Sequence, residues 1–302
     1  MSKHEPMSFF DFTQTFNTEE ICRNHLFTIR WPNGFVCPKC KNDRYYEIKK
    51  RHHYQCTSCR HHASVTAGTI MDKSHIPLVK WFWAIYMVST DKRGCSATVL
   101  MKKLGIGYKS AWYLLKRIQT AMMERDWEYM LSGIVEVDDA FFGAADDDNG
   151  KRGRGTSKTQ VIVGLSINGK GHPQYVKMEV VSNMKAETVG AFASTNIASG
   201  STISSDAYSS YKRLSENGYN HKPKKFNPKE DKEHLKWLHT IISNAKAFIN
   251  GTYHGLDEKH LNFYLAEFCY RFNRRFNIDL LFNRLLFSCT VSFKINYAEL
   301  TA

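Results

Sequence analysis

Apolar residues recur at two different periods along this chain, and the period changes near Gly133. Upstream, Trp81, Ile85 and Val88 fall on one helical stripe. The segment opens on Ser74, a side chain suited to capping a first turn, with Pro77 just inside it, which predicts a helix reaching about Ser89. A second helix is expected over roughly Ser96 to Leu104. After the break Gly105-Ile106-Gly107, a third begins near Ser110 and carries Trp112, Leu115 and Ile118. Downstream, strands are predicted over Ile134 to Phe142, Gln160 to Ile167 and Gln174 to Val181, the last two joined by the turn Asn168-Gly169-Lys170-Gly171. A helix from about Lys185 to Asn196 follows, and the short strand Thr202 to Ser205 ends directly on Asp206. A helical segment from about Tyr208 to Ser215 and an extended piece near Tyr219 lead to a helix from about Glu233 to Ile249.

The downstream order is three strands, helix, strand, helix, strand, helix, as an RNase H-like α/β domain with a mixed sheet requires. In that arrangement the first strand and the end of the fourth bring their acids together beside a residue of the last helix. Asp138 would sit mid-strand and Asp206 at a strand end, a scaffold stiff enough for a divalent ion, which prefers carboxylate oxygen. An ordinary turn or N-cap aspartate before Ala207-Tyr208 also accounts for Asp206. Asp138 fits such a reading less well, because Val135 and Val137 flank it in a strand where a lone acid is costly to bury. Alternation sends Asp138 and Asp139 to opposite faces, so one of the two enters the site.

Near the amino end, Cys37, Cys40, Cys56 and Cys59 form C-x2-C-x15-C-x2-C. Thiolates at i and i+3 on a knuckle turn reach one metal, and a hairpin supplies the second pair. Tyr45, Tyr46 and Ile48 lead into the turn Lys49-Lys50-Arg51, and His53, Tyr54 and Gln55 return to the second knuckle. Four thiolates leave no open position, so the expected site is structural Zn2+, contributing on the order of 10 kcal/mol to folding. Unligated cysteines at a coincidental spacing are the plain alternative. His52, His53, His61 and His62 crowd the same segment, as alternative ligands or as solvated basic residues facing phosphate. The isolated Cys22, Cys95, Cys269 and Cys289 read as buried thiols rather than a disulfide framework.

The formal net charge of +13 over 302 residues favours a polyanionic partner, nucleic acid or membrane headgroups. The longest strongly apolar stretch, Trp81 to Val88, is far short of the roughly 20 residues that span a bilayer. Met1 to Asp11 lacks the apolar core of a signal peptide, so a cytoplasmic, nucleoid-associated protein is expected. Three regions result: a zinc ribbon over 10–70, a helical region over 74–128, and the RNase H-like domain over 132–285. Two short helices across Gly105-Ile106-Gly107 suggest a helix-turn-helix whose second helix enters a major groove. Lys102, Lys103, Lys109, Lys116 and Arg117 favour DNA there, while a helical linker with a solvated cationic face reads the same way.

Several segments together resemble a known family: Val135-Glu136-Val137-Asp138-Asp139-Ala140-Phe141-Phe142-Gly143, Ser205-Asp206-Ala207-Tyr208-Ser209-Ser210-Tyr211, Asn250-Gly251-Thr252-Tyr253-His254, and Glu267-Phe268-Cys269-Tyr270-Arg271-Phe272-Asn273-Arg274-Arg275. With Arg30-Trp31-Pro32 running into Cys37-Pro38-Lys39-Cys40, they look like insertion-sequence transposases with a zinc ribbon before a DDE-type domain, insertion-sequence family fifteen-ninety-five. The resemblance implies a catalytic set of Asp138, Asp206 and a third residue on the last helix, with a lysine seven positions later. Here His239 and Lys246 hold those places; the usual third residue is glutamate, and subgroups use others, His included. Imidazole nitrogen suits Mn2+ better than Mg2+ and brings no negative charge. Glu233 or Glu267 is the alternative third carboxylate, although Arg271 four residues on gives Glu267 a structural partner. Lys246 shares the helix face of His239 and would contact DNA phosphate, or is a plain surface lysine.

The implied activity is metal-dependent cutting of element ends and joining of 3'-hydroxyls to target DNA, with Mg2+ or Mn2+ at Asp138, Asp206 and His239. The implied partners are double-stranded DNA, as terminal inverted repeats and target, and further copies of the chain in a dimer or larger assembly. A nuclease without strand transfer and a non-enzymatic DNA-binding regulator share many of these features. Lys151 to Gly155, after the acidic run Asp146 to Asp148, reads as a mobile loop that closes on DNA or as a solvated hairpin tip. Arg271, Arg274 and Arg275 line a DNA channel or solvate the last helix.

Overall fold

The computed structural model describes residues 7–143, 158–225, 234–253, 257–293 and 295–301. The acidic run at 146–148, the basic loop at 151–155, Glu233 and His254 lie outside them. In chain order the elements are α1 (Phe9–Thr15), α2 (Glu19–Arg30), β1 (Tyr45–Ile48), β2 (His53–Cys56), β3 (His62–Ala63), α3 (Leu78–Thr90), α4 (Ala97–Leu104) and α5 (Tyr108–Trp127). There follow β4 (Ile134–Phe142), β5 (Thr159–Ile167), β6 (Pro173–Val180), α6 (Ala186–Asn196), β7 (Thr202–Asp206), β8 (Asn220–Lys224), α7 (Lys236–Thr252), α8 (Leu261–Asn273), α9 (Leu281–Val291) and α10 (Tyr297–Thr301). They divide into two compact units, residues 1–122 with 276–302, and residues 123–275. Among the described residues, no helix is long and apolar enough to cross a membrane.

In the first unit β1 and β2 pair antiparallel across the Lys49–Arg51 turn, Tyr45 opposite Cys56 and Ile48 opposite His53, and β3 adds on the far side of β2. Too small to bury a core of its own, the ribbon shares one with α2. Phe27, Trp31, Phe35, Tyr45 and Tyr54 stack with ring centroids from 4.8 Å (Phe35–Tyr45) to 6.2 Å (Phe35–Tyr54). Arg30 donates to the carbonyls of Val65 (3.0 Å) and Ala67 (2.6 Å), tying the chain beyond β3 to the same helix.

Two readings of the helical region need correction. Ser74 does not cap α3; its hydroxyl takes the Trp81 indole N–H at 3.0 Å, and the free N–H groups of Leu78 and Val79 donate instead to Glu19 of α2, both at 2.9 Å. A distant carboxylate thus does the work of a local cap. Lys116 and Arg117 cannot meet phosphate, because both are buried. Lys116 donates to Gln119 at 3.2 Å, and Arg117 donates to the Asp72 carbonyl at 3.1 Å while lying 4.3 Å from the centre of the Tyr113 ring. Ser96 does cap α4, which ends on left-handed Gly105.

The second unit is built on a five-stranded sheet in the order β6-β5-β4-β7-β8. β4, β7 and β8 run parallel, and β5 is antiparallel to both β4 and β6. β5 is buried continuously from Val161 to Ser166, as expected of a strand covered on both faces. On one face Val135, Val137, Ile162 and Ile203 pack with Val189, Phe192 and Ala193 of α6 and with Tyr211 and Leu214, which belong to a 3-10 turn rather than to a full helix. Gly164 is needed there, since a Cβ would stand 2.9 Å from Leu131 and 3.4 Å from the Phe192 ring. On the other face α7 packs on β4 and β5. The unit closes at Arg275, and α9 packs its apolar stripe on α2 and α3 of the first unit.

Candidate active site and zinc centre

β4 and β7 lie side by side in a parallel ladder that pairs Ile134 with Thr202 and Glu136 with Ser204. The ladder ends at that pair; Asp138 and Asp206 each lie two residues beyond it on their own strands, and both keep the face of Glu136, since side chains alternate at period two. That is the face on which α7 lies. The side chains of Val135 and Val137 go the other way, into the α6 core. From Val135 to Asp138 the strand thus sorts its residues, apolar toward α6 and acidic toward α7.

His239, in the first turn of α7, meets Asp138 with Nε2 3.1 Å from Oδ2. The other carboxylate oxygen of Asp138 accepts the Asp139 backbone N–H at 2.8 Å. The hydrogen bond to Asp138 raises the imidazole pKa above its ordinary value against the effect of burial, and the charges of Asp138 and Glu136 add to the rise. Asp206 closes an Asx turn, accepting the Tyr208 N–H at 3.2 Å, so its turn role and its place beside Asp138 coexist. Among the described residues, Asp138, Asp206 and His239 do not draw into a group with all ligand atoms within 4.8 Å; the four cysteines do.

Glu136 was not singled out from the sequence, and it stands at the centre of this geometry. α7 starts on Leu235, left-handed at φ 52°, with no side-chain cap. The Glu136 carboxylate accepts the backbone N–H of Leu238 and so caps the helix from the neighbouring strand. Burial raises its pKa, with Leu238 and His239 pulling the other way. Its Oε2 is buried and has no hydrogen-bond partner among the described residues. Glu136 and Asp138 thus take hold of consecutive helix residues, 238 and 239. The signal in the sequence was the two-residue spacing of Glu136-Val137-Asp138, which puts both acids on one face.

Lys246, two turns along α7, has Nζ 5.6 Å from the centre of the Phe142 ring on the same face of β4. It is half-buried, and burial lowers its pKa, with the charge of Lys158 adding to the effect. The other candidates have structural duties. Glu267 is fully buried on α8 and accepts the Tyr253 hydroxyl at 2.8 Å, which removes it as a third carboxylate. Arg274 is locked to Asp126 at 2.7 Å and stacks on Tyr270 at 3.6 Å, while Arg275 donates to the Gln174 carbonyl at 2.9 Å. Both tie α8 to its neighbours and do not line a channel.

At the other centre, Cys37 Sγ is 3.6 Å from Cys59 Sγ, and Cys40 Sγ is 3.5 Å from Cys56 Sγ. A tetrahedral ion with zinc–sulfur bonds of about 2.3 Å would hold its sulfurs about 3.8 Å apart, so the four thiols fit zinc with little movement. The backbone N–H groups of Cys59 and Ser58 point at Cys56 Sγ and, against burial, bring its pKa down to about 6, favouring the thiolate a metal takes. For the acid site, the fit to a divalent ion rests on a carboxylate midway along β4, another at the end of β7, and the buried Oε2 of Glu136, which has no partner among the described residues.

A mixed sheet in this order, with one acid midway along β4 and another at the end of the parallel β7, defines an RNase H-like domain, here accompanied by a zinc ribbon. Comparison with known proteins agrees. The ISXO2-like transposase domain matches residues 130–273, and the transposase zinc-ribbon domain of the same family matches residues 17–62, together well over half of the chain. This chain belongs to the IS1595 family of insertion-sequence transposases. A protein of Halobacterium salinarum described as "Uncharacterized protein in transposable element ISH50" is 30% identical over 162 residues, covering 52% of each chain. The chain therefore spans about half the length of the curated relative it matches. Among solved structures, the catalytic core domain of BIV integrase is similar at 13% identity and a TM-score of 0.30, over 45% of this chain and 81% of that one. So slight a likeness adds nothing to the strand order.

Proposed function

We propose that this protein is a DNA transposase that cuts the ends of its element and joins the freed 3'-hydroxyls to target DNA. The observation that carries the reading is the meeting of Asp138 and His239 beside Asp206, inside the transposase domain. Asp138 and Asp206, with His239 assisting, would hold Mg2+ or Mn2+. When bound, the ion lowers the cost of forming an oxygen nucleophile and of charge on the leaving oxygen. His239 fixes the Asp138 carboxylate through Nε2, and Lys246 holds a phosphate next to the reacting bond. In the first step a water oxygen attacks phosphorus in line; the bond to the 3'-oxygen breaks, leaving a 5'-phosphate and a 3'-hydroxyl. In the second, that hydroxyl attacks a phosphodiester of the target, and the target's own 3'-oxygen leaves. The ribbon, held by Zn2+, and the helical region would recognise the terminal inverted repeats. Joining two ends in one event calls for two or more copies of the chain on the DNA.

The test incubates purified protein with duplex carrying the sequences that flank its own gene, in Mg2+ or Mn2+, beside Asp206→Ala. Metal-dependent cut and joined products that vanish in the variant are the expected result. Cutting without joining would make the protein a nuclease. Binding without cutting by either protein would make it a regulator, and cutting untouched by the substitution would remove Asp206 from the site.

A further inference from the structure

We propose that β8 is a rail that holds the phosphates of the DNA strand entering the acid site. The inference rests on the transposase reading and names residues that would hold its substrate. β8 pairs parallel with β7, Ser204 beside Lys222 and Asp206 beside Lys224. Neighbours in such a ladder point to the same face, so both lysines share the face of Asp206 and, across β4, that of Glu136 and Asp138. On the opposite face His221 lies against buried Ser205, Nε2 to Oγ 2.8 Å, which fixes β8 from beneath. Asn220, Lys222, Pro223 and Lys224 remain exposed.

α7 roofs β4 and β5, and the described face continues beyond it across β7 to β8. Over that width the charge changes from carboxylate at Asp138 and Asp206 to ammonium at Lys222 and Lys224. A phosphodiester chain suits both halves, presenting one phosphate to the acids while its neighbours are neutralised at the edge. Alternate residues of a strand stand about 6.6 Å apart, a step that lets two lysines serve adjacent phosphates of one DNA strand. Lysines on a sheet edge also discourage pairing with another strand, and Pro223 already does that by withdrawing an N–H. A protein strand is therefore a poor occupant of this edge, and a polyanion is a good one.

The experiment measures binding of the full-length protein to duplex carrying its own flanking sequence, from about 50 to about 200 mM salt, as a plot of log affinity against log salt. Wild type is compared with Lys222→Gln/Lys224→Gln and with Lys170→Gln/Lys212→Gln, a charge-matched pair at exposed positions outside β8. Each lost phosphate contact lowers the slope by about 0.9, so the rail variant should lose about 1.8 and the control nothing. Lys222→Arg/Lys224→Arg should restore the slope, which separates lost contacts from a damaged strand. An unchanged slope in the rail variant, or an equal fall in the control, overturns the proposal. Failure of wild type to cut and join, with the slope still falling in the rail variant, would overturn the transposase reading and leave the rail standing.

Discussion

The two centres of this chain are built in opposite ways. The zinc centre takes its four ligands from 23 consecutive residues, Cys37 to Cys59, and closes on itself. The acid site joins Asp138 to His239, 101 positions away, through two strands and a helix. A closed site of local ligands stabilises its own hairpin and little else. A site of distant ligands is held by the whole unit.

Removing a centre should therefore have unequal consequences, the largest at the ribbon. Chelation, or Cys56→Ser, should unfold β1–β3, a loss on the order of 10 kcal/mol for that subdomain. Amide signals of Tyr45 to Ala63 would collapse while those of β4 to β8 hold, and a sheet that melted with the ribbon would break the contrast. Next, Asp206→Ala should abolish joined products with little change in thermal midpoint, because Asp206 is half-exposed at a strand end. A loss of several degrees would make it a structural aspartate instead.

A smaller effect is expected at the strand–helix contact. Glu136→Ala should cost about 1 kcal/mol, the worth of a helix cap, and speed exchange of the Leu238 amide. Glu136→Gln keeps an acceptor and should recover most of it; equal damage in both would show that charge, not capping, matters. The smallest effect concerns pH. Folding raises the pKa of His239 above its ordinary 6.5, so the stability from its contact with Asp138 is complete below that value and is lost as pH rises through the folded pKa. Imidazole NMR should place the midpoint above 6.5 and Asp138→Asn should lower it; a midpoint unmoved by that substitution would sink the coupling.

The order of strands and helices in the second unit was legible because alternation and helical stripes are local signals. The cysteine site was legible for the same reason. What escaped depends on partners far along the chain. The apolar stripe of α9 says that it packs, but not that α2 and α3 are its partners. Lys116 and Arg117 look like DNA contacts until Gln119 and the Asp72 carbonyl are seen to receive them. Ser74 has a cap's chemistry, yet Glu19 reaches the helix end first. Glu136 was hidden by its neighbour: next to the candidate Asp138, a second carboxylate two residues earlier reads as background until an uncapped helix is found above it.

The parallel ladder between β4 and β7 also bears on which changes of length the gene can tolerate. Strand register, not the number of intervening residues, sets Asp206 beside Asp138. Extra residues at the exposed Gly169–Gly171 tip of the β5–β6 hairpin leave that register alone. Deleting one residue inside β7 ahead of Asp206 would turn its carboxylate to the α6 side of the sheet. A long insertion in one place should thus be milder than the loss of a single codon in another.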